Sequence, residues 1–149
     1  MPEFLEAMVG KFTFTVALDR QYNAEGVWAL AEGNWVRIGL SDFLQQRSGD
    51  VAFAEVRPEG TEVKAGEEVA VIETIKVNIG LTSPLSGTVV EVNPAVTSAP
   101  EAINQDPYSA GWLARLEAAH WEADRAQLLT AAAYFDKMKG EAEEESSKV

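Results

Sequence analysis

The sequence predicts a mainly β domain, a small barrel or sandwich of two hairpin-like halves with short helices and a C-terminal helix. Three observations predict it. Residues 12–93 hold roughly seven short runs rich in β-branched and apolar residues, alternating or continuous. Turn residues separate the runs at close spacing, as in Glu32-Gly33-Asn34, Pro58-Glu59-Gly60 and Lys64-Ala65-Gly66-Glu67. Over residues 118–139 the period changes, and Trp121, Leu128, Ala132 and Phe135 fall on one helical stripe.

Residues 1–11 read as an N-terminal extension, mobile or helical over its first ten positions, with Phe12 to Val16 following as an alternating strand. Residues 27–31 and 35–40 are the arms of a hairpin. Ser41 offers an N-cap oxygen to a short helix over about 42–46, with Asp42 favourable at its positive end. Gly49-Asp50 breaks that helix, and residues 51–56 are strand-like. Glu62-Val63 leads into the turn at 64–67. Residues 69–73, 77–81 and 88–93 read as strands, with a bend at Ser83-Pro84-Leu85-Ser86-Gly87. Ala99-Pro100-Glu101 starts a helical turn. Asp106-Pro107-Tyr108 and Gly111 are loop chemistry, and residues 112–116 form a closing strand. The helix over 118–139 stops at Gly140, and the acidic, small-residue stretch 140–149 is expected to be disordered. The folded domain is therefore 12–139.

Composition narrows the chemistry. Of 149 residues, 46% are hydrophobic, enough for a core. Twenty-four acidic residues against 12 basic ones give a net charge of −12. That disfavours nucleic acid and suits either solubility or docking on basic partner surfaces. Cysteine is absent, which excludes disulfides, thiolate metal sites and a cysteine nucleophile. The single histidine, His120, cannot build a zinc site; it is placed on the terminal helix surface with no catalytic partner. No apolar run reaches about 18 residues, so no membrane helix is expected. The start, Met1-Pro2-Glu3-Phe4-Leu5-Glu6, lacks the basic region of a signal peptide, and a cytoplasmic location is the default. Asp50, Glu55 and Glu73 are the only carboxylates worth weighing as a catalytic pair, and strand-surface acids are usually just solvated. Trp28, Trp35, Trp112 and Trp121 read as packing residues. Redox or transfer chemistry must come from something attached.

Lys76 is where it would attach. It ends Glu73-Thr74-Ile75-Lys76, behind the apolar run Val69-Ala70-Val71-Ile72 and ahead of the bend at 83–87 and the run Thr88-Val89-Val90-Glu91-Val92. A lysine between two strands is held out to solvent on a rigid base. Val63-Lys64-Ala65-Gly66 before it and Ser83-Pro84-Leu85-Ser86-Gly87 after it are matching bends, which puts Lys76 at one extreme of the molecule. Gly66, Pro84 and Gly87 are turn formers.

In this arrangement the chain resembles the biotinyl/lipoyl carrier domains, and more widely the H protein of the glycine cleavage system. The resemblance runs from about Tyr22 to Tyr134. It rests on Ile38-Gly39-Leu40-Ser41-Asp42, Ser48-Gly49-Asp50-Val51, Val63-Lys64-Ala65-Gly66-Glu67, Glu73-Thr74-Ile75-Lys76, Ser83-Pro84-Leu85-Ser86-Gly87, Val90-Glu91-Val92-Asn93, Ile103-Asn104, Asp106-Pro107-Tyr108, Gly111-Trp112-Leu113 and Leu128-Leu129-Thr130-Ala131, in that order. It implies a lipoyl-type barrel-sandwich hybrid. It implies a carrier, not an enzyme, with lipoate as an amide on Lys76 and Glu73, Thr74, Ile75 and Val77 around it. Glu73 is either part of a ligase's recognition surface or an exposed strand-end acid. Biotin carriers flank their lysine with methionines, and here Ile75 and Val77 stand there. The amide removes the lysine charge and the dithiolane supplies the sulfur pair the chain lacks.

Departures from the family bear on the cargo. The family's His-Glu-Trp run is Gly26-Val27-Trp28 here, Phe43 follows Ser41-Asp42, and Gly80 holds the place of an Asp after the lysine. These positions are expected to cradle an aminomethyl-loaded arm, and a charged amine taken from water needs acceptors. Glu25 is close enough to substitute. On this ground the sequence leans to the related lipoate-binding proteins of sulfur oxidation, which work beside a heterodisulfide-reductase-like complex. Glycine cleavage, with its P and T proteins, is the close competitor. Either role implies a lipoate ligase or lipoyl transferase and dihydrolipoamide dehydrogenase as partners. The third reading is an unmodified interaction module.

Overall fold

The computed structural model describes residues 3–147; residues 1 and 2 of the extension and 148 and 149 of the tail lie outside the described residues. In chain order the elements are β1 (Phe4–Val9), β2 (Phe12–Ala17), β3 (Gln21–Tyr22), β4 (Val27–Glu32), β5 (Trp35–Leu40), α1 (Asp42–Ser48), β6 (Val51–Val56), β7 (Glu62–Val63), β8 (Glu68–Thr74), β9 (Asn78–Thr82), β10 (Gly87–Val92), α2 (Ala95–Ser98), α3 (Ala102–Gln105), β11 (Ala114–Ala118), α4 (Trp121–Ala126) and α5 (Ala131–Ser147). Among the described residues β1 and β2 form a two-stranded sheet of their own. A six-stranded sheet runs β3-β4-β5-β11-β10-β7, and a three-stranded sheet runs β6-β8-β9. The mainly β reading holds, with a lipoyl-type barrel-sandwich architecture.

Alternation sets which faces are buried. Val36, Ile38 and Leu40 of β5 point inward and join Val69, Ile72, Leu81, Leu85, Val89 and Leu116 in a core fed by both larger sheets. The two matching bends meet face to face: the Gly66 amide donates to the Ser83 carbonyl at 2.9 Å and the Ser83 amide to the Glu67 carbonyl at 2.8 Å. Burial of Leu-sized side chains here stabilises by about 1.5–3 kcal/mol each.

A second core lies outside the first. Phe14, Val16, Tyr22, Trp28, Phe43, Tyr108, Tyr134 and Met138 pack there. The Tyr22 and Tyr134 rings stack at 4.5 Å. Arg20 is buried with its guanidinium 4.6 Å from the Trp28 ring, and its Nη1 donates to the Tyr108 carbonyl at 2.8 Å. This core ties the two ends of the chain to the barrel.

It also overturns three expectations. Residues 4–9 are neither mobile nor helical; they form β1, whose Ala7 and Val9 are buried. The helix over 118–139 is not continuous. β11 extends to Ala118, α4 covers Trp121–Ala126, and the chain then pairs Leu129 with Tyr22 through two backbone hydrogen bonds of 2.8 and 3.0 Å. Thr130 restarts the helix, its Oγ1 accepting from the Ala133 amide at 3.1 Å. The expected stripe is therefore split: Trp121 and Leu128 pack on the first core, Phe135 on the second, and Ala132 is exposed. Nor does Gly140 end anything, since α5 runs to Ser147, and 140–147 is helical rather than disordered. Its buried residues, Ala131, Tyr134, Met138 and Ala142, recur every three or four positions under the N-terminal hairpin. Smaller differences are α2, which has no counterpart among the expected elements, the closing strand at Ala114–Ala118 rather than 112–116, and the extension of α1 to Ser48. The Ser41 cap is as expected, accepting from the Leu44 amide at 3.2 Å. His120 sits just before α4, not on the terminal helix, and Trp35 is 43% exposed on its strand.

Candidate functional site

Lys76 lies at the apex of the β8–β9 hairpin. β8 and β9 are in register through Ile72↔Ile79 and Glu73↔Asn78, so the loop between Thr74 and Val77 contains only Ile75 and Lys76. Thr74 closes it with both its groups. Its amide donates to the Val77 carbonyl at 2.8 Å, and its hydroxyl donates to the same carbonyl at 3.1 Å. The hydroxyl oxygen accepts from the amides of Lys76 and Val77 at 3.1 and 3.0 Å. Thr74 is thus a turn builder. Ile75 is 84% exposed and Val77 44%, an apolar apex flanking an exposed lysine whose ammonium makes no hydrogen bond or ion pair among the described residues. Glu73 is exposed one position before Thr74. The five residues singled out by sequence therefore sit together on one tip. Asp50 and Glu55 are exposed as well.

Two grooves flank that tip. One, of about 480 Å³, is walled by Phe12 and Phe14 of the N-terminal hairpin, Phe43 of α1, Ala142 of α5 and Lys76 itself. The lysine's stem lies across Gly49, where even a methyl would come within 3.1 Å of Cε. The other, of about 420 Å³, is lined by Glu25, Leu44, Arg47, Val77, Asn78 and Ile79. Arg47 borders both and is held by Glu145 of α5 at 2.9 Å. The Glu25 Oε1 accepts from the Thr82 amide and hydroxyl at 2.9 and 2.7 Å, which fixes a carboxylate beside β9.

Each departure noted in the sequence sits against a close neighbour. Gly26 has φ +101°, and a Cβ there would meet the Tyr134 Oη at 2.6 Å and the Ser41 Oγ at 2.9 Å. The Ser41–Tyr134 hydroxyl pair, 2.8 Å apart, occupies the space a side chain at 26 would need. Val27 is fully buried in the first core, and Phe43 meets Phe14 edge-on at 5.3 Å. The Glu68 carboxylate lies over Gly80, in the space a Cβ would take, so an acid stands at that place on a neighbouring strand. Sequence reasoning singled out Phe43 and Glu25, but not the grouping of Phe12, Phe14 and Arg47 near Lys76. Nothing local signals that grouping, because the residues come together only when both chain ends fold onto α1.

Comparison with known proteins gives a consistent picture. The family model described as glycine cleavage H-protein matches residues 20–141. The chain is 40% identical to a glycine cleavage system H protein of Beutenbergia cavernae, over 85% of this chain and 99% of that one. It is 39% identical to a probable glycine cleavage system H protein 1 of Saccharolobus solfataricus, over 91% and 98%. A crystal structure of an H protein from Mycobacterium marinum superposes with a TM-score of 0.73 at 34% identity, covering 80% of this chain and 96% of that one.

Proposed function

The chain belongs to the glycine cleavage H-protein family, and on that premise we propose that it serves the glycine cleavage system as a lipoyl carrier modified at Lys76. Proteins of this family carry lipoate covalently on a lysine and have no catalytic activity of their own. Bound as an amide, lipoate supplies a dithiolane that takes up two electrons or holds a group on one sulfur. The observation that carries the assignment is the lysine tip. Lys76 is exposed on a two-residue loop clamped by Thr74, and its amidation breaks no ion pair among the described residues. Ile75 and Val77 present an apolar apex to a lipoate ligase or lipoyl transferase, with Glu73 beside it.

Glycine cleavage is favoured over sulfur oxidation by Glu25. Glu25 lines the groove that also holds Val77 and Asn78, and its carboxylate, held by Thr82, is the acceptor available there for the cationic amine of a glycine-derived cargo. The P and T proteins and dihydrolipoamide dehydrogenase follow as partners, and the net charge of −12 suits docking on basic surfaces. A specific observation favours the second reading, the sulfur-carrying role beside a heterodisulfide-reductase-like complex: positions 26, 27 and 43 are glycine, valine and phenylalanine, with no polar group to offer.

The test begins with intact mass after expression with lipoate and a ligase, followed by peptide mapping. The adduct is expected on Lys76, and Lys76→Arg should fold normally and gain none. Lipoylated protein is then offered to P protein and glycine. Loading supports the glycine role, and Glu25→Gln should slow it about three- to tenfold, the effect of losing one charged acceptor. No loading under conditions that load an authentic H protein would favour the second reading. No adduct at all would leave only a docking module.

A further inference from the structure

We propose that the groove walled by the N-terminal hairpin and the end of α5 is an apolar berth for the dithiolane of the arm on Lys76. The inference rests on the assignment of Lys76 as the modified residue. The walls that make the groove lie largely outside the stretch matched by the family model: Val9, Phe12 and Phe14 precede residue 20, and Ala142, Glu145 and Ser146 follow residue 141. The berth is therefore an addition to the barrel that carries the lysine.

Its chemistry fits the end of the arm. Phe12, Phe14 and Phe43 form a run of rings, with centroids 6.2 and 5.3 Å apart. Phe14 and Phe43 are buried, whereas Phe12 is 51% exposed, so the run offers one open aromatic face. Divalent sulfur packs well against such faces. Cations sit on the rim, Lys11 at 5.7 Å from the Phe12 ring and Arg47 at 5.7 Å from the Phe43 ring. Lys76 brings a third cation to the same groove until amidation removes it, which leaves an apolar chain beside Val9, Phe12, Phe14, Phe43 and Ala142, with the polar residues Gln46, Glu145 and Ser146 also in the lining. The volume, about 480 Å³, is in the usual range for small-molecule sites, roughly 300–1,000 Å³.

The tether selects this occupant over a free ligand. Lys76 is itself a wall of the groove, so an attached group is presented there at high effective concentration without any diffusional encounter. In the berth the sulfur pair is shielded from solvent and small thiol reagents, and it becomes available when a partner draws the arm out.

The chain contains no cysteine, so the two thiols of the reduced arm are the only thiols of the lipoylated protein. We would confirm the adduct by intact mass, reduce it with a phosphine, and follow alkylation by iodoacetamide, with free dihydrolipoamide as the reference. The arm's thiols are expected to react at least about fivefold more slowly than the reference, as for a group exposed only a minor fraction of the time. Phe12→Ser, at an exposed position that leaves the fold intact, should bring the rate to within about twofold of the reference. Met8→Ser, on the same hairpin at a position 73% exposed and outside the groove, should stay slow. Thiols that react at the reference rate, or protection that survives Phe12→Ser, would overturn the berth while leaving the carrier intact. Protection appearing only when a partner enzyme is added would reassign the groove to protein docking and overturn it equally. Absence of the adduct would remove the carrier assignment and the berth together.

Discussion

At the scale of single residues, two positions decide more than their size suggests. Gly26 combines a left-handed backbone with a neighbouring hydroxyl pair that fills its side-chain space. Gly26→Ala is expected to cost about 1–3 kcal/mol, from strain and overpacking together, measured by urea unfolding. Histidine, the residue usual there in the family, should cost more still. In this chain the space beside position 26 is filled by the paired hydroxyls of Tyr134 and Ser41, which leaves no room for a side chain there. Thr74 is the second. Thr74→Val keeps the shape of the strand end but removes the hydroxyl that satisfies two amides. It should destabilise by about 0.5–1.5 kcal/mol and slow lipoylation by loosening the tip. An unchanged rate of adduct formation would show that the ligase does not need the clamped turn. Lys76, Thr74 and the two flanking apolar residues could be found from sequence because a hairpin apex is local. The Gly26 conflict could not, because its partners, Ser41 and Tyr134, are distant along the chain.

At the scale of elements, α5 and the β1–β2 hairpin are one unit formed from opposite ends of the chain. Composition suggests that both ends are loose, since glycine breaks helices and acidic runs stay solvated. Packing reverses that. Met138 is fully buried and Ala142 nearly so, on either side of Gly140. Met138→Ala is expected to cost about 2–5 kcal/mol, which a disordered or frayed segment would not register. Gly140 has open space around it within the helix, so Gly140→Ala should stabilise by about 0.4–1 kcal/mol. The two substitutions move stability in opposite directions, and a denaturant midpoint for each reads it. The break between α4 and α5 has a similar cause: Leu129 pairs with Tyr22 as a strand would, and a helical period drawn through residues 118–139 passes over that bridge.

At the scale of the whole molecule, the pH limits of stability follow from what is buried. Desolvation raises the Tyr134 hydroxyl to about 12 and those of Tyr22 and Tyr108 beyond it. The fold therefore favours their neutral form. The stability this contributes is complete below the unfolded value of 10.0 and is lost as the pH rises through the folded values. Circular dichroism should show cooperative unfolding above about pH 10, with tyrosinate absorbance appearing together with it rather than before it. On the acid side the Arg37 hydrogen bond, with Arg115 nearby, lowers Glu32. That contribution is present above 4.5 and is lost as the pH falls through the lowered value, but the pair is surface-accessible and is worth only about 0.2–1 kcal/mol.

The division between sequence and tertiary structure follows the range of the interactions involved. Strand alternation, the hairpin at Gly33-Asn34, the Ser41 cap and the lysine tip depend on neighbours a few residues apart, and the sequence by itself determined them. The ordered motifs around Lys76 also carry the resemblance to the H-protein family, and with it the barrel and the carrier role that the resemblance implies. Only the folded molecule decided how the ends of the chain are used. Whether a glycine stops a helix, whether an acidic tail stays in water, and whether Phe12 and Phe43 gather beside Lys76 depend on burial between residues far apart in the chain, such as Val9 and Ala142. Burying apolar surface over such distances outweighs the local preference of about 1 kcal/mol that pointed the other way.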